Sequence, residues 1–295
     1  MSAGTFADLH IEVKAHGSNE QRPPCPECGG IGAFSVDIRD GRFNCFKCGF
    51  HGRAGSDVDY QPIVRIDDPA VAERKRERLR RTWKATLPLN HADARAPRTY
   101  LESRALGEIL SAPPPVLRTH PGLEYWDGGK SCGTYPAMVA LFHGATGHAV
   151  TLHVTYLRHD GCAKANVPSP KKILGVAVKG STRGGAIHLH EPHHGILGIA
   201  EGIESALSLH LLQKIPVWSS FCADNLKFAR LPKGLRELYV GVDLDTSHKG
   251  EEVATALVSR VRQFSPSIKL YTVRPEIDGP GDLNDELRRR AHGHR

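Results

Sequence analysis

No run of apolar residues in this chain reaches the roughly 20 needed to cross a bilayer as a helix. The opening residues MSAGTFADLHIEVKAHG lack the basic start and apolar run of a secretory signal, so a cytoplasmic location with no membrane partner is expected. No G-x-x-x-x-G-K-[ST] phosphate loop is present, which excludes a helicase motor of that kind. Cysteine is sparse: of seven, four fall in two close pairs, while Cys132, Cys162 and Cys222 stand alone. In a reducing compartment that pattern excludes a disulfide framework and points to a metal site. Acidic residues are the minority charge, 32 against 39 Lys and Arg, for a formal net charge of +7. An excess of cations suits a polyanionic partner, nucleic acid before others, with solubility as the plain alternative.

What is there is organised around the stretch from Ile196 to Asp245. ILGIA runs straight into Glu201-Gly202, and ELYVGV runs straight into Asp243-Leu244-Asp245. Apolar runs of this length suit strands buried on both faces, with carboxylates beginning at their carboxyl ends. In open parallel α/β sheets that edge is where ligands bind. Three carboxylates gathered there repel one another, each pair at about 4 Å costing roughly 1 to 4 kcal/mol. A divalent cation relieves that repulsion, and an oxygen-only ligand set favours Mg²⁺ or Mn²⁺ over zinc. From Gly195 onward strands and helices alternate: ILGIA then helix 202–212, IPVWSS then helix 223–229, ELYVGV then helix 249–264, and IKLYTV to close. This alternation predicts an α/β fold with a doubly wound parallel sheet. GPGDLNDELRRR returns Asp282 and Asp285 to the same edge after the last strand.

Upstream, a short helix is expected from Phe6 to Val13. Residues 23–54 carry Cys25-x2-Cys28 and Cys45-x2-Cys48 around FSVDI, the turn Arg39-Asp40-Gly41, and RFNCF. Four thiolates in two chelating turns predict a closed tetrahedral zinc site, and binding worth about 10 to 16 kcal/mol supplies the folding free energy of so small a module. Phe34, Phe43, Phe46 and Phe50 are read mostly as packing, with base stacking as the alternative. Residues 55–68 read as a linker. Ala70 to Leu87 reads as a cationic helix with Val71, Leu79, Trp83 and Leu87 as its narrow apolar stripe, either solvated or bound to phosphates. PRTYLESRALGEIL (97–110) reads as a short helix and turns; Met138–Phe142 and Val150–Leu157 read as a hairpin. Lys164, Lys171 and Lys172 are placed in a loop that suits phosphates, and HLHEPHHG (188–195) as a surface turn. The boundaries expected are 1–54 for the N-terminal segment and ribbon and 55–87 for the linker and basic helix, then 88–194 for a mixed α+β subdomain and 195–295 for the α/β domain.

Glu201-Gly202, Asp243-x-Asp245 and the later acidic motif resemble the Toprim domain, shared by primases, topoisomerases and some nucleases. CPEC followed by FNCFKCG resembles the zinc ribbon of bacterial-type primases, RTYLESRAL their YL-x-x-R-G-L element, and residues 135–157 the hairpin before their Toprim domain. EGIESALS, DLDTS and GDLND look most like the short zinc-ribbon/Toprim primases of phages, plasmids and integrated elements. Three departures stand out. Cys28 sits where many such primases have histidine, His153-Val154-Thr155 replaces a strand that usually carries arginine, and residues 246–249 form a longer segment.

The resemblance implies a DNA primase that makes short RNA primers on a single-stranded DNA template from ribonucleoside triphosphates, with a separate replicative helicase as a further partner. It implies Glu201, Asp243 and Asp245 as catalytic ligands of Mg²⁺ or Mn²⁺, with Asp282 and Asp285 helping to hold a second ion or to orient the first. By the same resemblance zinc sits on Cys25, Cys28, Cys45 and Cys48. Arg104, Lys164, Lys171 and Lys172 are expected to contact nucleic acid or nucleotide. The rivals are a Toprim nuclease or topoisomerase, and a non-catalytic primase-like binding or recruitment module.

Overall fold

The computed structural model describes residues 6, 11, 13–14, 19–25, 32–46, 50–54, 68–244, 246 and 248–293. Cys28, Cys48, Asp245, the linker 55–67 and most of the expected helix from Phe6 to Val13 lie outside the described residues. The chain divides into two compact units, residues 1–66 with 178–181, and residues 67–177 with 182–295.

The first unit contains an antiparallel sheet of β1 (Glu20–Gln21), β2 (Phe34–Asp37), β3 (Arg42–Cys45) and β4 (His51–Arg53), in that order. Phe34 faces Cys45 and Val36 faces Phe43 across β2 and β3. The Asp40 carboxylate accepts the Arg42 N–H, and Gly41 takes a φ of 78°, which closes the expected turn. Phe34, Phe43 and Phe50 pack ring on ring with Val36, Cys25 and Cys45, so packing is the role of three of the four phenylalanines. Phe46 is the exception, 59% exposed.

The second unit starts with α1 (Pro69–Lys84), capped by the Asp68 side chain. The helix ends three residues before the expected Leu87. Pro88 forces Leu87 out of helical backbone, and Leu87–Pro88 becomes β5 instead. Leu79 and Trp83 pack on an antiparallel sheet, so the apolar stripe is real although narrow. Elsewhere on the helix Glu73 pairs with Arg76 (3.1 Å) and Arg80 (3.0 Å), and Arg74, Lys75, Arg78, Arg81 and Lys84 are exposed.

That sheet runs β5, β6 (Leu117–Asp127), β7 (Lys130–His143), β8 (Ala149–Tyr156) and β9 (Lys171–Ile173). β7 and β8 are the expected hairpin. β9 corrects the reading of Lys171 and Lys172 as loop residues: Lys171 pairs with Thr155 and Lys172 with Val154. One face (Tyr125, Val139, Leu152, Val154, Tyr156) takes α1, and the other (Leu117, Met138, Ala140, Phe142) packs with Tyr100 and Leu101 of α2 (Arg95–Ser103).

The remaining elements are β10 (Ile187–His188), β11 (Ile196–Ala200), α3 (Ile203–Gln213), β12 (Val217–Ser219), α4 (Ala223–Leu226), β13 (Glu237–Gly241), α5 (Lys249–Phe264), β14 (Lys269–Val273) and α6 (Leu283–Gly293). The sheet order is β10-β12-β11-β13-β14, parallel except for the edge strand β10. Leu197, Ile199, Leu238 and Val240 face α4 and α5, whereas Ala200 faces α3 and α6. Helices therefore cover both faces, as a doubly wound sheet requires. His188 belongs to β10 and stacks on Trp218 at 3.7 Å, so HLHEPHHG is partly built into the sheet edge and is not a simple surface turn. No helix among the described residues is long and apolar enough to cross a membrane.

Candidate functional site

β11 and β13 are neighbours and parallel, so the residues that follow them, Glu201 and Asp243, emerge at the same carboxyl edge. A single antiparallel bridge then fixes a third acid. The Leu244 N–H donates to the Gly281 carbonyl (2.8 Å) and the Gly281 N–H returns to the Leu244 carbonyl (2.7 Å). Asp243 and Asp282 flank this bridge and are thereby brought together. The Oδ1 of Asp282 accepts the N–H groups of Asn284 (2.8 Å) and Asp285 (2.9 Å), so the same residue caps α6.

Asp243 is the most perturbed of these acids. Burial comes first, then the charges of Asp282 and Glu201, and together they push its pKa up to about 7 against a hydrogen bond from Ser205. Its Oδ1 is buried and meets no donor. Asp282 is raised as well, by burial before the charges of Asp285 and Glu204, with its two backbone hydrogen bonds opposing. An unsatisfied carboxylate oxygen among like charges is costly, and a hard cation relieves it with the oxygen donors present. The residues thus fit a divalent ion. Among the described residues, however, no three His, Cys, Asp or Glu side chains converge on one point. Asp285 turns to its own helix start, where Oδ2 accepts the Asp282 N–H (3.2 Å) and Oδ1 lies 3.6 Å from Arg288.

The four basic candidates have different surroundings. Lys171 acts electrostatically on both Asp243 and Glu204. The Nζ of Lys164 pairs with Glu204 Oε1 at 3.0 Å. Lys172 turns the other way, donating to the Trp126 carbonyl and resting 3.9 Å from the centre of the Tyr125 ring. Arg104 ends α2 beside Tyr100, with its Nε buried and without a partner.

Several residues of this region went unread in the sequence. Glu204, in the first turn of α3, is buried yet held in its charged form. Burial opposes its charge, but Lys164, Lys171 and the Tyr100 hydroxyl (2.7 Å) hold its pKa at about 2. Asn284 donates to the Arg104 carbonyl (2.8 Å) and to Ser208 (3.0 Å), tying α2, α3 and α6 together. His153, in the place of the expected strand arginine, is buried, and burial drives its pKa down to about 4 although Glu204 favours its charge. A neutral ring therefore stands where a cation was expected. The signal for Glu204, Ser205 and Ser208 was present in IESALSLHLL: a carboxylate and two serines within five positions of a largely apolar helix.

Residues 73–184 match a domain of unknown function (DUF7146), and residues 196–293 match the Toprim domain. No curated protein matches the chain. Among solved structures, the chain is similar to the E. coli primase catalytic core, with 13% identity and a TM-score of 0.46, over 74% of this chain and 76% of that one. It is similar to the primase fragment of the bacteriophage T7 primase-helicase protein at 15% identity and a TM-score of 0.38, over 92% and 96% of the two chains. The Aquifex aeolicus primase, zinc-binding and RNA polymerase domains, matches at 14% identity and a TM-score of 0.40, over 98% and 81%. Sheet order and sequence match describe the same segment: residues 196–293, an α/β unit with a largely parallel sheet, match the Toprim domain.

Proposed function

We propose that the chain is a DNA primase of the zinc-ribbon/Toprim kind, which builds short RNA primers on single-stranded DNA from ribonucleoside triphosphates. The observation that carries the reading is the buried Oδ1 of Asp243, without a donor and pressed by Asp282 and Glu201 at the carboxyl edge of a Toprim sheet. Primer synthesis is favoured over other Toprim chemistries by the order of parts along the chain, which resembles that of the bacterial-type primases: paired cysteines, hairpin subdomain, Toprim domain. In this reading Glu201, Asp243 and Asp245 hold Mg²⁺ or Mn²⁺, helped by Asp282 and Asp285. Divalent ions there would neutralise the charge that builds on the attacking 3′-oxygen and the departing pyrophosphate.

The chain's own residues do the positioning. Ser205 orients Asp243 by its hydrogen bond, and the cap on α6 fixes Asp282. Lys171, on strand β9, supplies a cation beside the acids for a triphosphate. Arg104 stands behind Tyr100, and the exposed cations of α1 offer phosphate contacts to the template. Cys25, Cys28, Cys45 and Cys48 hold a structural zinc; the described pair, Cys25 and Cys45, shares one buried cluster. The enzyme works in the cytoplasm with a separate helicase.

A second reading, a non-catalytic primase-like module, is favoured by one observation: neutral His153 replaces the strand cation. Primer synthesis on a single-stranded template with labelled nucleotides and Mg²⁺ or Mn²⁺ decides between them. Wild type should make primers, and Asp243→Asn or Glu201→Gln should lower the rate by at least about 100-fold with an unchanged fold. Folded variants that keep full activity would remove the metal-site assignment. A wild type that binds DNA but makes no primers would leave the binding module.

A further inference from the structure

Glu201 lies in the two-residue gap between β11, which ends at Ala200, and α3, which begins at Ile203. Gly202 caps that helix in extended backbone, with φ −87° and ψ 162°, so helical backbone starts only after it. Two hydrogen bonds from the end of the neighbouring strand β12 reach into the gap. The Ser220 N–H donates to the Ala200 carbonyl at 2.9 Å, which holds the peptide plane before Glu201. The Ser219 hydroxyl donates to the Glu201 carbonyl at 2.8 Å, which holds the plane after it. A residue has only two soft backbone torsions, so holding the planes on either side sets both φ and ψ of Glu201, and with them the direction of its Cα–Cβ bond. Ser219 is fully buried and is itself oriented, because its Oγ accepts the Phe221 N–H at 3.3 Å. Alternation along β12 explains its side of the sheet: Val217 packs on the α3 side and Trp218 on the other, so Ser219 returns to the side on which α3 begins. The bond from Ser220 is backbone and survives a change of side chain. The bond from Ser219 depends on one hydroxyl.

We propose that Ser219 is a positioning residue for Glu201: by holding the Glu201 carbonyl it fixes the direction in which that carboxylate leaves the sheet edge, and so sets the affinity of the edge for a divalent ion. This role rests on the ion-site reading given above and adds to it a residue that holds no ion itself. Without the hydroxyl, the plane between Glu201 and Gly202 is released while β11 stays paired with β12 and β13 up to Ala200. The side chain is then misdirected on an intact sheet, and losing the group that orients a metal ligand costs about 10- to 100-fold in metal affinity.

The test is Mn²⁺ binding by the full chain without nucleotide, read as free Mn²⁺ by electron paramagnetic resonance, with folding followed by circular dichroism and stability by urea midpoints. Ser219→Ala should fold and weaken Mn²⁺ binding about tenfold. Thr86→Val is the matched control. Thr86 is also buried and its hydroxyl also donates to a backbone carbonyl, that of Trp83 at 2.6 Å, but it lies just beyond α1. T86V should lower the urea midpoint, as S219A does, yet bind Mn²⁺ within about threefold of wild type. Wild-type affinity in S219A overturns the proposal, since Ser219 would then serve the fold alone. Equal weakening in T86V also overturns it, because affinity would then follow stability and not the bond to Glu201. Should S219A not fold, S219C, whose thiol is a weak donor, takes its place. A folded S219C that binds as wild type does, or an S219C that does not fold either, overturns the proposal, the second because the hydroxyl would then be a requirement of the fold. If wild type binds Mn²⁺ no more tightly than Asp243→Asn, the ion site itself falls and the proposal falls with it; a site that binds Mn²⁺ and loses it in Asp243→Asn keeps the two questions apart.

Discussion

Asp243 is under tension between its surroundings and its charge. Its pKa of about 7 in the folded chain stands against 3.8 for the ordinary side chain, so the folded state holds the proton more tightly than the unfolded state does. A raised carboxyl pKa contributes stability that is fully present below about pH 4 and is lost as pH rises through about 7. Protein stripped of divalent ions with a chelator should therefore lose on the order of 2 to 4 kcal/mol between pH 5 and pH 8 from this residue. Urea titrations at the two pH values measure the slope, and Asp243→Asn or added Mn²⁺ should flatten it; an equal slope in Asp243→Asn would show that the strain lies elsewhere. At this scale the sequence reading set Glu201 and Asp243 at one sheet edge because each begins where an apolar strand stops. It missed Glu204 and Ser205 because a polar residue on a helix is ordinarily solvent-facing. Here α3 is covered on every side, and only the partners from α2, β9 and the Lys164 bridge reveal why a carboxylate is tolerated there. Lys172 shows the converse: a lysine next to Lys171 in sequence points to the opposite face of β9, because side chains alternate along a strand.

The α5 element shows how backbone packing holds Asp243 in place. A methyl group at Gly250, the second residue of the helix, would lie 2.0 Å from the Asp243 carbonyl oxygen. The neighbour is backbone, which cannot swing aside as a side chain can. Gly250→Ala should therefore cost about 1 to 3 kcal/mol and displace Asp243. Gly175→Ala, with no atom within 4 Å of the added methyl, should stay within about 0.5 kcal/mol of wild type. Denaturant midpoints compare the two, and equal values would mean that α5 shifts freely on β13. Most elements of the Toprim sheet were legible, since buried parallel strands and a one-sided helix such as α5 leave strong periodic signals. β6 was not. Pro121-Gly122 interrupts its run, and the structure accommodates them at a register shift between His120 and Leu123, where a proline needs no ladder partner. α6 escaped because its buried face is short: Leu283, Asn284 and Glu286, with Leu287 partly covered, in a run otherwise dominated by arginine.

For the whole molecule, the two units differ in how much core each contains. The second unit packs apolar residues against both faces of the Toprim sheet and both faces of the antiparallel sheet. The described core of the first unit is three phenylalanines packed ring against ring with Val36, Phe6, Ile11, Ala54 and two cysteines, around strands of two to four residues. A hydrophobic cluster of that size falls short of the conformational entropy of ordering its strands. Zinc on Cys25, Cys28, Cys45 and Cys48, as proposed above, would close that gap, at about 10 to 16 kcal/mol for such sites. Removing it from the full chain should therefore unfold one unit and spare the other. In hydrogen exchange, strong chelation should abolish protection of the β2 and β3 amides while β11 and β13 keep theirs, and about one zinc per chain should be released. The cysteines are read through their spacing and not through the sheet, so this experiment tests them independently of the Toprim acids. Protection of β2 and β3 that survives complete metal removal would show that the aromatic stack of Phe34, Phe43 and Phe50 sustains the ribbon without a metal.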